Sequence, residues 1–118
     1  MIHLLEKTRV YTPETLGVGD GESQISLLQV LTVIESEFKE QLEELRSIRG
    51  KDLKIKDVEL QNQMPAPAGN PLVVRSYVYK LDKKGGYEIR VFVHSRSKKT
   101  ENRVAKATYV LTPIDADA

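Results

Sequence analysis

The residue of this sequence best suited to chemistry is Glu35, a carboxylate on the apolar side of a predicted helix. Residues 24–45, QISLLQVLTVIESEFKEQLEEL, form the only long stretch with helical periodicity. At about 100° per residue, Glu35 lies between Leu28 and Leu42 in angle, inside a stripe covering roughly a third of the circle. A carboxylate in an apolar setting has a raised pKa and can act as a general base that activates water. The rest of the stripe is Leu27, Leu28, Leu31, Ile34, Phe38, Leu42 and Leu45.

A purely structural role for Glu35 stays open beside the catalytic one. Its stem could pack on the sheet while its carboxylate reaches solvent, or it could pair with a lysine or arginine of a strand. The remaining acids of the helix fall on the opposite side, where the pattern predicts solvent. They are Glu37, Glu40, Glu43 and Glu44.

Other polar residues near the helix start are weaker candidates. Gln24 shares the angle of Glu35 three turns earlier and is a candidate for contacting a substrate. Ser26 and Thr32 could hydrogen-bond a substrate or be ordinary helix residues. Ser23 is predicted as the N-cap, since a serine hydroxyl can accept from an orphan amide of the first turn. Asp20 suits the positive end of the helix dipole, and a chemical role for either residue remains an alternative.

Basic residues cluster around the predicted turn after residue 95. Two explanations stay open for these residues. They could form a solvated turn whose charges discourage edge-to-edge strand pairing, or they could contact the phosphates of an anionic partner. His94, just before this turn, is predicted as a solvated residue on the polar face of a strand. The cluster is Arg96, Lys98, Lys99 and Arg103.

The elements that position these residues are one strand, one long helix and four further strands. Strands are predicted over residues 4–12, 52–62, 72–81, 87–93 and 103–112, with a bulge near Asp57 where the alternation changes phase. Residues 82–86, DKKGG, predict a hairpin turn, so neighbouring strands are antiparallel. The order predicts an α+β domain in which a sheet of about five strands is covered by a single helix.

Composition limits the classes of protein to consider. A chain of 118 residues predicts one domain over 1–118, and the absence of cysteine excludes disulfides and thiolate metal sites. No apolar run is long enough to cross a bilayer and the amino terminus does not resemble a secretory signal, so we expect a cytoplasmic protein with no membrane partner. Residues 1–50 carry a net charge of −4 and residues 51–118 of +5. This asymmetry is too mild to predict nucleic-acid binding, and we expect no metal.

The second half of the chain resembles the hot-dog fold of acyl-CoA thioesterases and acyl-carrier-protein dehydratases. The resemblance rests on PAPAGNPLVVRSYVYKLDKKGGYEIRVFVHS followed by RVAKATYVLTPID: a bend rich in proline, a Gly-x-Pro-Leu strand entry and a final strand that ends near proline. Over nearly the whole chain, the predicted order of strands and helix also resembles that of this fold. It implies an antiparallel sheet wrapped around one long central helix.

The resemblance also implies a function and a partner. In several such thioesterases a carboxylate on the central helix is the base or nucleophile, at a site between two subunits, which favours Glu35 here. Backbone amides at the helix start, at residues 24–27 in this chain, would then polarise the thioester carbonyl. The implied partners are acyl-coenzyme A or an acyl-carrier protein and a second copy in a homodimer or higher oligomer. Coenzyme A or phosphopantetheine belongs to the substrate, so no cofactor is expected.

Two alternatives to thioester hydrolysis follow from the same resemblance. A noncatalytic member would bind an acyl chain, an acyl-carrier protein or another protein through the same groove. A 3-hydroxyacyl dehydratase is disfavoured, because the resemblance implies that this branch needs a histidine ahead of the helix. This chain has only His3, at the extreme terminus, and His94, on the polar face of a strand. The aspartate-type thioesterase pattern is also incomplete, since no histidine follows Asp20 and Gly21.

Overall fold

The computed structural model describes residues 1–19, 21–49, 52–81 and 85–114. It begins with a strand and a short helix, continues into one long helix, and ends in a run of strands. The elements in chain order are β1 (Ile2–Tyr11), α1 (Pro13–Leu16), β2 (Gln24–Ile25), α2 (Leu27–Arg49), β3 (Leu53–Asn62), β4 (Ala66–Pro67), β5 (Leu72–Lys80), β6 (Tyr87–Arg96) and β7 (Glu101–Pro113).

The main sheet has five strands in the order β1-β5-β6-β7-β3, and every pair is antiparallel. Helix α2 packs against the central strands β5 and β6 on the concave face of the sheet. The short strands β2 and β4 form a separate ladder next to the helix start. The predicted α+β architecture, a five-stranded antiparallel sheet around one long helix, is therefore confirmed.

Strict alternation along β6 shows why the sheet has one apolar face. The side chains predicted to face inward are buried, while Glu88, Arg90 and His94 lie on the opposite face, as predicted. Side chains of successive strand residues point to opposite faces, so apolar residues at every second position supply a continuous surface for the helix. The inward residues of β6 are Tyr87, Ile89, Val91, Val93 and Ser95.

Helix α2 is rotated relative to the prediction by roughly a quarter of a turn, counted at 100° per residue. Leu27 and Leu28 are 50% and 73% exposed, whereas Glu37, on the side predicted to face solvent, is 1% exposed and Gln41 is 0% exposed. The predicted orientation is wrong because the apolar residues of this helix cover more of its circumference than one sheet can bury. The buried face is Val30, Val33, Ile34, Glu37, Phe38, Gln41 and Leu45.

The start of α2 differs from the prediction by three residues. Ser26, not Ser23, provides the capping hydroxyl: it accepts from the amide of Gln29 at 3.1 Å, and the Gln29 side chain accepts from the amide of Ser26 at 2.9 Å. Gln24 lies before the helix, in β2, paired with Pro67. Asp20 lies outside the described residues.

The predicted bulge near Asp57 is confirmed by a register shift between Ile55 and Asp57 in the pairing of β3 with β7. The bulge accommodates Lys56, so that Ile55 and Val58 both face the helix side of the sheet although they are three residues apart. Strand β3 is an edge strand of the sheet. Its helix-side residues Ile55, Val58 and Leu60 are nevertheless 45–49% exposed.

Candidate functional site

The uncovered side of α2 and the inner face of β3 and β7 enclose an apolar groove of about 360 Å³. The groove exists because the helix packs against β5 and β6 and leaves the edge of the sheet uncovered. Nearly all of its surface comes from aliphatic and aromatic side chains. It is lined by Leu31, Ile34, Glu35, Phe38, Lys39, Ile55, Val58, Leu60, Ala107 and Tyr109.

Glu35 lies on this groove, but its own sheet does not bury it. The side chain is 61% exposed, and its Oε1 pairs with Nζ of Lys39, one turn later, at 2.7 Å. The prediction that Glu35 faces the core is therefore wrong for the single chain, since the helix is rotated. The groove beside it is nevertheless the apolar surface that the predicted chemistry needs, and Leu31, Ile34 and Phe38 of the predicted stripe line it.

Tyr109 is a groove residue that the sequence analysis missed. Its ring stacks on Phe38 with centroids 3.8 Å apart and planes inclined by 17°. Burial raises the pKa of the Tyr109 hydroxyl, and the nearby negative charge of Glu35 raises it further. Its inward position on β7, opposite Val58 of β3, could have been read from the alternation of that strand.

A second depression, of about 310 Å³, lies at the start of α2. It is lined by Gln24, the sequence-based candidate for substrate contact, together with Asn62, the last residue of β3, and Gln63. The Ser26 hydroxyl is occupied by the capping interaction with Gln29. Leu27 begins the helix eight residues before Glu35, which corresponds to about 12 Å along the axis. The two parts of the predicted site are therefore separate within one chain.

The predicted basic cluster lies at the end of β6, in the following turn and near the start of β7. Arg96 pairs with Glu101 at 3.3 Å, and the guanidinium of Arg103 lies 5.1 Å from the centre of the Phe92 ring. Lys98 and Lys99 are exposed in the turn between the strands. None of the four lines either depression described above.

Thr32 and His94 are the remaining polar candidates. The Thr32 hydroxyl donates to the carbonyl of Leu28 at 2.8 Å, as threonines in helices commonly do. His94 is half-buried on the convex face rather than solvated as predicted, and burial, followed by the charge of Arg75, lowers its pKa. It stands on the face of the sheet opposite the groove.

The buried carboxylate of the helix is Glu37, which no sequence signal identified. Its Oε1 accepts from the Tyr11 hydroxyl at 2.5 Å and lies 3.4 Å from Nε of Arg9. Burial raises the pKa of Tyr11, and its hydrogen bond to Glu37 adds to the increase. The charge of Glu37 is thus satisfied by β1, on the side of α2 away from the groove.

Solved structures identify the architecture. The chain is similar to 4-hydroxybenzoyl-CoA thioesterase of Pseudomonas sp. strain CBS-3, with 12% identity, a TM-score of 0.63 and coverage of 92% of this chain and 84% of that one. It is also similar to YbaW, a probable thioesterase of Escherichia coli, with 14% identity, a TM-score of 0.61 and coverage of 95% and 84%. The chain has the hot-dog fold.

A third hot-dog structure, the PaaI protein from the phenylacetic acid degradation operon of E. coli, matches with 14% identity and a TM-score of 0.60 over 92% of this chain and 71% of that one. No protein-family model and no curated protein matches the sequence. No helix in the described ranges is long and apolar enough to span a membrane.

Proposed function

We propose that this hot-dog protein hydrolyses acyl thioesters of coenzyme A or of an acyl-carrier protein, with Glu35 as the general base. The observation that carries the proposal is the position of Glu35 on an apolar groove of about 360 Å³. An acyl chain can leave water along such a surface. The similarity to several thioesterase structures supports the same class of reaction.

In this mechanism Glu35 removes a proton from a water molecule as the water oxygen bonds to the thioester carbonyl carbon. The carbonyl electron pair moves to oxygen, and backbone amides stabilise the resulting oxyanion. When the carbonyl re-forms, the carbon–sulfur bond breaks and the proton held by Glu35 passes to the departing thiolate. The products are a carboxylic acid and a thiol, so no oxidant, metal or cofactor enters the balance.

A second copy of the chain completes this proposed site. The amides of Leu27 and Leu28 lie about 10–12 Å from Glu35 along their own helix, so they are too distant to act on the same carbonyl. A homodimer formed across the β3 edge would bring the helix start of one subunit to the groove of the other. It would also cover the half-exposed apolar residues Ile55, Val58 and Leu60, whose exposure is costly in water.

The substrate contacts proposed from the sequence divide into two groups. Gln24 contributes a side-chain carboxamide at the helix start, where the phosphopantetheine arm of the substrate, with its amide groups, would pass. Arg96 and Arg103 already contact Glu101 and Phe92, so Lys98 and Lys99 are the more available cations for a phosphate or an acidic carrier protein. Ser26 acts by fixing the helix start.

The test is turnover of acyl-CoAs of graded chain length and of acyl-carrier-protein thioesters by Glu35→Gln and Glu35→Ala. Loss of the base should lower kcat by about 100-fold or more, with little effect on KM. Glu43→Gln, at an exposed position of the same helix, is the matched control and should retain full activity.

Equal activity of wild type and both Glu35 variants would contradict the assignment of the base. No turnover of any thioester, combined with binding of acyl-CoA, would instead identify a noncatalytic acyl-binding module. Enoyl absorbance from a 3-hydroxyacyl thioester would identify a dehydratase.

A further inference from the structure

The groove beside Glu35 contains one neutral hydrogen-bond donor, the hydroxyl of Tyr109. The other groove residues are apolar except Lys39, which is paired with Glu35. Among the described residues the Tyr109 hydroxyl has no hydrogen-bond partner, although its ring is held firmly in place. A fixed donor without a partner, on an otherwise apolar surface, is available to a bound molecule.

The helix places Tyr109 next to Glu35. Phe38 lies three residues after Glu35, and side chains at this spacing are neighbours on a helix surface, with about 5–6 Å between their Cβ atoms. The Tyr109 ring stacks directly on Phe38, 3.8 Å between centroids. Both residues line the groove, and the charge of Glu35 acts on the Tyr109 hydroxyl.

The Tyr109 hydroxyl stays protonated beside Glu35. Burial and the negative charge of Glu35 both raise the pKa of Tyr109, so its hydroxyl remains a donor throughout the neutral range. The ion pair with Lys39 uses Oε1 of Glu35. The second carboxylate oxygen is then suited to accept a hydrogen bond from water.

We propose that Tyr109 and Glu35 together hold the attacking water, with the Tyr109 hydroxyl donating to the water oxygen and the water donating to Glu35. This inference rests on the proposed thioester hydrolysis. One donor and one acceptor fix both the position and the direction of the water, and a bound water needs at least two such partners. The donor also leaves one lone pair of the water oxygen to attack the carbonyl carbon. Tyr109 undergoes no net change in protonation.

The experiment compares Tyr109→Phe with Tyr77→Phe, a matched loss of one hydroxyl on the convex face of the same sheet. Tyr109→Phe keeps the ring that stacks on Phe38, so the thermal midpoint should stay within about 2 °C of wild type. We expect kcat for hydrolysis to fall by about 10- to 100-fold with KM changed by less than about twofold, because the missing group holds water and not the acyl chain. Tyr77→Phe should match wild type.

A second readout separates a role in holding water from a purely structural one. Hydroxylamine is a strong nucleophile that needs little activation, and it converts the thioester to a hydroxamate and free thiol. In Tyr109→Phe the ratio of hydroxamate formation to hydrolysis should rise by about 10-fold over wild type.

An unchanged ratio, an unchanged kcat or an effect confined to KM would each overturn the role of Tyr109 while leaving thioester hydrolysis by Glu35 intact. A wild-type protein without thioesterase activity would overturn the proposed function and this inference together.

Discussion

At the scale of single residues, two carboxylates of α2 exchange the roles that the sequence predicted for them. Glu35 falls at an apolar angle yet is exposed in the single chain, whereas Glu37 falls at a polar angle and is buried. Periodicity gives the angles between residues of a helix, but not the direction from which the sheet approaches. That direction depends on Tyr11 and Arg9, which are more than 25 residues away and satisfy the charge of Glu37. Contacts at such separation leave no local signal.

The hydrogen bond between Tyr11 and Glu37 gives a prediction for stability. Tyr11→Phe should lower the free energy of unfolding by about 1–3 kcal/mol, because it leaves a buried carboxylate oxygen without its donor. Urea unfolding followed by circular dichroism measures the change. Tyr79→Phe, on the convex face, is the matched control and should cost less than about 0.5 kcal/mol. Equal midpoints for the two variants would contradict a stabilising role for this bond.

At the scale of elements, the sequence predicted the type and order of the main strands and of the long helix, and it located the bulge of β3. It placed the start of α2 at Gln24, three residues early, because Gln24 and Ile25 pair with Ala66 and Pro67 as a short strand directly before the helix. Such two-residue ladders have too little periodicity to be recognised.

Ion pairs hold β1 against the side of α2 that faces away from the groove. Lys7 and Arg9 both contact Glu40, at 2.9 and 2.8 Å, and Lys7 also contacts Glu44 at 2.7 Å. The hydrogen bond from Lys7, followed by that from Arg9, lowers the pKa of Glu40 below its ordinary value of 4.5. A carboxylate with a lowered pKa in the folded state stabilises the fold above its unfolded pKa, and this contribution is lost as the pH falls through the folded value.

Glu40→Gln should therefore destabilise the protein near pH 7, by no more than about 1 kcal/mol since the pair is partly exposed. The difference from wild type should shrink as the pH falls below 4.5, where Glu40 becomes protonated in the wild type as well. Unfolding midpoints in urea between pH 7 and pH 3 measure the trend. Glu43→Gln should show a smaller difference from wild type at pH 7. A Glu40→Gln difference that persists undiminished to pH 3 would contradict this explanation.

At the scale of the whole molecule, the sheet curves around α2 from β1 to β6 but leaves the β3 edge open. The antiparallel direction of neighbouring strands could be predicted from the short turns between them. The groove could not, because it results from the helix occupying only part of the concave face. Of the leucines that the sequence assigned to the core, Leu31 lines this groove, whereas Leu27 lines the depression at the helix start and Leu28 lies in a depression beside Leu16.

Val58→Glu should convert the expected homodimer into a monomer at micromolar concentration, since it places a charge on the apolar wall of β3. Sedimentation velocity measures the change in mass. Val10→Glu is a close control, because Val10 and Val58 are 47% and 49% exposed and lie on opposite edge strands. It should leave the dimer intact. A wild-type protein that sediments as a monomer, or equal dissociation of both variants, would contradict assembly through β3.

The extra residue in β3, Lys56, shapes the backbone of the exposed edge but does not decide which side chains face the groove. A variant lacking Lys56 would still present Ile55 and Val58 on the same side, because removing one residue restores plain alternation between them. Its backbone would lose the local bend and offer an uninterrupted row of amides and carbonyls to a neighbouring strand. A one-residue deletion in evolution could thus change how copies join while leaving the apolar wall of the groove as it is.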